Sequence, residues 1–405
     1  MARAIVTGTA AILVIAAAVL GSVIAAHKPD TTGSLVEVSN ARCGHGWAPG
    51  RTGPQALRLY NAGGLPADVQ LVRPASGAVA GEIEALGPDA VRDLRVDLGS
   101  GTYALRCRLE GDDPVTGPRV RVAGRARGGP AVLPVTYNDL YGPVRAYQKL
   151  VTGKLDPLVT KVDRLRDAIR GGDRAAARDA WLPAHLAYES LGGAYGVFGD
   201  LGDSINGLPQ PSGHLPPRSG DDPGTDVDHG GEGRGGEPDF SGFHRVERGL
   251  WGDEPLTGLR GPADRLADDV RELRTQFPDE RIEPLDLGLR AHEIFEDAER
   301  VELTGRSDEG SGSALATVSA NLEGTRDVLS VLRPLLRTRY PGGLRTLDAA
   351  LDRTDRVLSA HDHDGRWTAL GDLGATDRQR VNGAVANAVE RLAPVAEICV
   401  PRRVR

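Results

Sequence analysis

The chain has 405 residues, 40% apolar and 26% charged, with a formal net charge of −7. This length predicts two or three domains with real cores. The acidic balance argues against nucleic acid or an anionic membrane surface as a partner. Aromatic residues make up only 4%, too few for a base-stacking platform, and the only methionine is Met1, which removes any Met-ligated copper site.

The N-terminus sets the compartment. After Arg3, residues 4–26 carry no charge and read as an export signal. The run is about long enough to span a bilayer. Ser22 to Ala26 also offers a small-residue cleavage site, so residues 1–28 are expected to be either an uncleaved membrane anchor or a cleaved signal. Either way, the rest of the chain is expected to be extracytoplasmic, in the cell envelope or secreted. The cysteines are Cys43, Cys107 and Cys399. Their spacing fits neither a zinc knuckle nor a Cys-x-x-Cys redox motif, and outside the cytosol they allow one disulfide and one spare thiol.

Residues 35–125 read as short strands. Candidates are 35–38, 55–60, 68–72, 78–84 and 102–106, alternating in polarity and broken by Gly, Pro, Asn and Asp. Turn signals every ~8–12 residues predict an antiparallel β-sandwich. Residues 126–136 read as a linker.

From residue 137 to about 400 the apolar period becomes helical. Tyr147, Leu150, Leu155, Leu158, Val162 and Leu165 line one face until Gly171-Gly172 breaks the helix, and Asp173 is placed to cap the next. In that next helix His185 and Glu189 are i,i+4, so they share a face. Residues 207–238, rich in Pro, Gly, Asp and Ser, are expected to form a disordered insertion. Then comes Gly242-Phe243-His244-Arg245-Val246-Glu247, where His244 and Glu247 are i,i+3. An imidazole and a carboxylate so spaced can share one metal ion. Further helices are expected near 262–276, 284–304, 312–336, 344–360 and 375–397. The 284–304 helix carries His292, Glu293 and Glu296, and the turn His361-Asp362-His363-Asp364 is a weaker metal-binding candidate. Three helices thus offer His/Glu faces that can converge in a bundle, a donor set suited to iron or zinc. A His-Glu-x-x-His pattern is absent and no nucleophile-elbow, P-loop or Rossmann motif stands in a convincing context, so the pattern favours metal capture over turnover.

Gly242 to Trp251 resembles the GxHxxE signature of the imelysin family. The stretch Trp181-Leu-Pro-Ala-His185-Leu-Ala-Tyr188-Glu189, followed by Phe198-Gly199-Asp200-Leu201 and Asp203-Ser-Ile-Asn206, resembles the helices before it. Asn61-Ala-Gly63, Gly81-Glu82-Ile83-Glu84, Gly87-Pro88 and Gly101 to Cys107 are similar to the cupredoxin-like domain that precedes the imelysin domain in iron-uptake proteins of the EfeO type. The resemblance implies a cupredoxin-like antiparallel β-sandwich followed by an all-α imelysin-like helical bundle. It implies an iron-binding component of an Efe-type uptake system, partnered by an iron permease and a haem peroxidase, with an imelysin-type metallopeptidase as the alternative. Carried over residue by residue, it makes His244, Glu247, Glu189 and Glu296 metal ligands, and it places a family acidic position at Asn206 with Asp203 close by. In the N-terminal domain it implies a second metal site, possible for copper, from Cys43, Asp68, Glu82 or Glu84 and Cys107. A Cys43–Cys107 disulfide is the alternative there.

Overall fold

The computed structural model describes residues 34–401 apart from 49, 130 and 210–239. The expected anchor or signal at 1–28, and most of the expected insertion at 207–238, lie outside the described residues. Among the described residues no helix is long and apolar enough to cross a membrane. The chain divides into two compact units, one ending at Leu133 and the other starting at Pro134.

The first unit is built of strands. One sheet has the order β1 (Val36–Val38), β2 (Gly53–Asn61), β5 (Val91–Leu98). The other has the order β4 (Ala78–Leu86), β3 (Ala67–Arg73), β6 (Gly101–Leu109), β7 (Val115–Thr116), with β8 (Val120–Val122) also pairing with β6. The sheets are mostly antiparallel as expected, but β1 runs parallel to β2, with Val36 opposite Leu59. Val38, Leu59, Val69, Leu71, Leu98, Tyr103 and Leu105 are fully buried and form the core. Strand β5 escaped the sequence reading because Arg95 and Asp97 look like surface charge. They alternate with buried Leu94, Val96 and Leu98, the period-2 pattern of a half-buried strand. Asn61, buried completely, donates to the carbonyls of Leu65 and Leu86 at 2.8 Å each and accepts from the Gly63 amide at 2.9 Å. The Asn61-Ala-Gly63 stretch therefore acts as a turn lock. The expected linker is partly ordered: Val132 pairs with Val79, and Val135 with Pro401.

The second unit is helical: α1 (Tyr137–Gly171), α2 (Arg174–Glu189), α3 (Gly199–Asn206), α4 (Gly242–Trp251), α5 (Leu256–Gln276), α6 (Pro284–Arg300), α7 (Ala314–Arg339), α8 (Gly343–Ser359) and α9 (Ala375–Ile398). Thr136 and Asp139 form a capping box on α1, and Gly172, at φ 81°, ends it. Asp173 accepts from the Ala176 amide at 3.0 Å and starts α2. Helix α1 packs on α2 and α5, α6 on α7 and α9, and α8 on α9. Helix α5 begins six residues before the expected start, because Pro262 sits inside it. The His361–Asp364 turn is a hairpin of β9 (Asp362–His363) and β10 (Arg366–Trp367). Asp364 and Gly365 both take positive φ, as an Asp-Gly hairpin turn requires. Its His363 is exposed.

Candidate metal centre

Helices α2, α3 and α4 meet at a buried point, and local packing fixes how. Trp181, fully buried on α2, donates its indole N–H to the Phe243 carbonyl at 3.0 Å. Arg174 and Arg178 reach the Leu250 carbonyl at 2.7 and 2.6 Å. They satisfy the C-terminal end of α4 with cations, which the helix dipole favours. At the other end of α4, Gly242 has φ 77°, and a Cβ there would overlap the Ile205 carbonyl. The Ser241 hydroxyl donates to the Ser204 carbonyl at 2.9 Å. The signature glycine is therefore the residue that lets the start of α4 touch the end of α3, and α3 ends on Asn206.

The donors converge around this junction. His244 Nδ1 lies 3.2 Å from Glu247 Oε2. Glu247, 1% exposed, also accepts at Oε1 from the Glu309 and Ser311 amides at 3.1 Å each and from the Ser311 hydroxyl at 2.5 Å. Glu189 accepts from Asn206 Nδ2 at 2.7 Å and from Asn321 Nδ2 at 2.9 Å, and its Oε1 lies 3.2 Å from His185 Nε2. The His185 ring stacks on Trp181 with centroids 4.7 Å apart, and stands edge-on to His244 at 5.3 Å. Burial alone would raise both carboxyls. For Glu189 it is outweighed by His185, Asn321 and His244; for Glu247, by His244, Ser311 and His185. Both are held below the usual carboxylate range and are therefore ionised at neutral pH.

Glu189, Asn206, His244 and Glu247 are therefore brought together. The other expected ligands make contacts of their own. Asp203 is exposed, one turn back on α3. Glu296 is engaged by Arg300 at 3.0 Å and His292 at 3.5 Å, and Glu293 by Arg290 at 2.9 Å. Glu302, in the 3-10 turn Glu302–Thr304, feels the centre's charge. Burial first, then repulsion from Glu189, pushes its carboxyl up to about 7, while Ser307 donates to it at 2.6 Å. Sequence reading missed Glu302 because it has no His at helical spacing. It missed Ser311 and Asn321 because their partners lie 64 and 132 residues away. The Gly310-Ser311-Gly312-Ser313 run was the available sign of a loop rich in backbone donors. Among the described residues, no three His, Cys, Asp or Glu side chains already form a metal-ligand group. The carboxylate oxygens are instead occupied by protein donors, which an arriving cation would displace.

Of the two readings of the N-terminal cysteines, a metal site or a disulfide, the structure has the disulfide. Cys43 and Cys107 form a disulfide, with Cα atoms 5.8 Å apart, so neither offers a thiolate to copper or another metal. Asp68 pairs with Arg108 and accepts from the Ala85 amide. Glu82 accepts from Gln70 at 3.2 Å, and Glu84 is exposed.

A helical unit centred on a buried His-x-x-Glu helix defines the class. The family model for imelysin (peptidase family M75) matches residues 143–395, and the chain belongs to this family. Similar proteins include the "Iron uptake system component EfeO" of Escherichia coli K12, 26% identical over 319 residues covering 78% of each chain. The protein of the same name from Yersinia pseudotuberculosis is 27% identical over 315 residues, again 78% of each. A solved structure from Parabacteroides distasonis, described as an iron-regulated protein A precursor, aligns at TM-score 0.49 and 14% identity, covering 65% of this chain and 95% of that one.

Proposed function

We propose that this protein is the extracytoplasmic iron-binding component of an iron uptake system, and that it captures iron at the Glu189, His244 and Glu247 centre and passes it to a membrane permease. The observation that carries this reading is the burial of two ionised carboxylates against two imidazoles at one three-helix junction. Two buried carboxylates held ionised at one point concentrate negative charge that a cation would neutralise. The relatives, named as components of an iron uptake system, support iron as the cargo. A membrane permease and a haem peroxidase, the partners that the sequence resemblance implies, belong to the same proposal. Asn206 leaves the centre one carboxylate short of the family pattern, which lowers its negative charge. The peptidase alternative would need Glu247 as general base. A carboxyl held below its usual range by four donors is a weak base, and that supports capture over catalysis.

Titration of the full chain with Fe2+ under anaerobic conditions tests the site. His244→Ala and Glu247→Ala should each weaken binding by at least ~10-fold. Unchanged affinity in both variants would overturn the assignment.

A further inference from the structure

His185 has a feature that packing does not explain. Its side chain is 2% exposed, yet neither ring nitrogen has a hydrogen-bond partner. Glu189 Oε1 lies 3.2 Å from Nε2, but without the alignment a hydrogen bond needs. Asn206 Oδ1 is a second buried atom without a donor, and its own amide N–H is given to the same Glu189 oxygen at 2.7 Å. Buried polar atoms are rarely left this way, and each one calls for a reason. Here an imidazole nitrogen lies 3.2 Å from one carboxylate oxygen, and the residue whose amide N–H binds that same oxygen keeps its own carbonyl lone pairs unused. The ring is held in place: it stacks on Trp181, sits 5.3 Å from Phe243, and stands edge-on to His244. A group that brings positive charge and accepts lone pairs satisfies all of these atoms at once.

We propose that His185 is itself a ligand of the captured cation, with Asn206 Oδ1 beside it, so that the centre offers two imidazoles and selects nitrogen-preferring divalent cations over Mn2+ and Mg2+. Imidazole suits iron, cobalt and zinc, whereas carboxylate, carbonyl and water suit Mg2+ and Mn2+. The proposal rests on the reading of Glu189, His244 and Glu247 as the capture centre. A purely structural His185 would be a flat spacer between Trp181 and Phe243, replaceable by another ring.

The test uses the full chain with Co2+ as the probe. High-spin Co2+ shifts the exchangeable imidazole N–H signal of each bound histidine far outside the protein envelope. Wild type should show two such proton signals, and His185→Gln one. His185→Gln should also lose at least ~10-fold in Co2+ affinity while keeping Mn2+ affinity within about threefold. His185→Phe, which keeps a ring against Trp181, should show the same loss with an unchanged melting curve. A single shifted signal in wild type, or unchanged Co2+ affinity in both variants while Glu247→Ala abolishes binding, would overturn the role of His185 and leave the capture centre standing. No Co2+ binding by wild type, or wild-type affinity in both His244→Ala and Glu247→Ala, would overturn the centre itself and the proposal with it.

Discussion

Glu302 shows how one carboxyl senses the centre without forming part of the expected ligand set. Burial and the charge of Glu189 push it up to about 7, so folding favours its protonated form. A carboxyl raised in this way contributes stability that is fully present below its ordinary value near 4.5 and is lost as pH rises through about 7. The difference is at most about 3 kcal/mol. Glu302→Gln, which cannot ionise, should therefore unfold at higher denaturant than wild type at pH 8 and at nearly the same denaturant at pH 4.5. An equal effect at both pH values would show that Glu302 acts through packing rather than charge. Glu189 and Glu247 have the opposite sign. Their depressed values give stability that is present above the ordinary carboxylate range and disappears on acidification. Gly242 makes a different residue-scale case. Its φ of 77° and its contact with Ile205 exclude a side chain. Gly242→Ala should cost at least about 2 kcal/mol in chemical denaturation and weaken iron binding, because it separates Asn206 from Glu189.

At the scale of elements, α4 and the segment after α6 act as a pair. Arg248 on α4 makes a two-pronged contact with Glu309 at 2.8 and 3.0 Å, and the Glu309 and Ser311 amides point at Glu247. Arg248 is half exposed, so the ion pair itself contributes little, on the order of 1 kcal/mol or less. What it secures is the position of the segment. Arg248→Gln should leave the melting temperature almost unchanged and speed amide exchange at Glu309 and Ser311 by up to roughly fivefold, a local opening cheaper by about 1 kcal/mol. Protection equal to wild type would mean that Glu247 alone holds the segment. The same elements show what the sequence made legible. Helices α1 and α2 were visible through period and caps, because Gly172 and Asp173 are local signals. His244 and Glu247 were legible because three residues make a helix face. Glu302, Ser311 and Asn321 were not, since they reach the centre through tertiary packing across a 3-10 turn, a loop and a separate helix. Glu296 was expected from the correct helix, but Arg300 and His292, each one turn away, engage it locally. Spacing alone does not reveal which of several same-face partners a carboxylate will choose.

At the scale of the whole molecule, the two units have different means of stabilisation. The sheet unit is small, and its Cys43–Cys107 disulfide closes a separation of 64 residues between the turn after β1 and strand β6. In the chain-entropy view, a loop of that length stabilises its unit by roughly 4 kcal/mol. The helical unit has a longer continuous core, and its one cysteine, Cys399, is buried and free, with a thiol that burial pushes up to about 12. A thiol so raised and so enclosed does not compete for metal or for disulfide exchange. Replacing both Cys43 and Cys107 by Ser should therefore lower the unfolding free energy of the sheet unit by several kcal/mol. Iron stoichiometry and affinity at the helical centre should remain at wild-type values. Calorimetry with and without Fe2+ separates the two effects: iron should raise the transition of the helical unit in both proteins, and the Cys→Ser exchange should lower only that of the sheet unit. If the double variant instead loses a bound metal equivalent while the sheet unit stays folded, the cysteines act as ligands only after a thiol reductant has supplied the two electrons that open the disulfide.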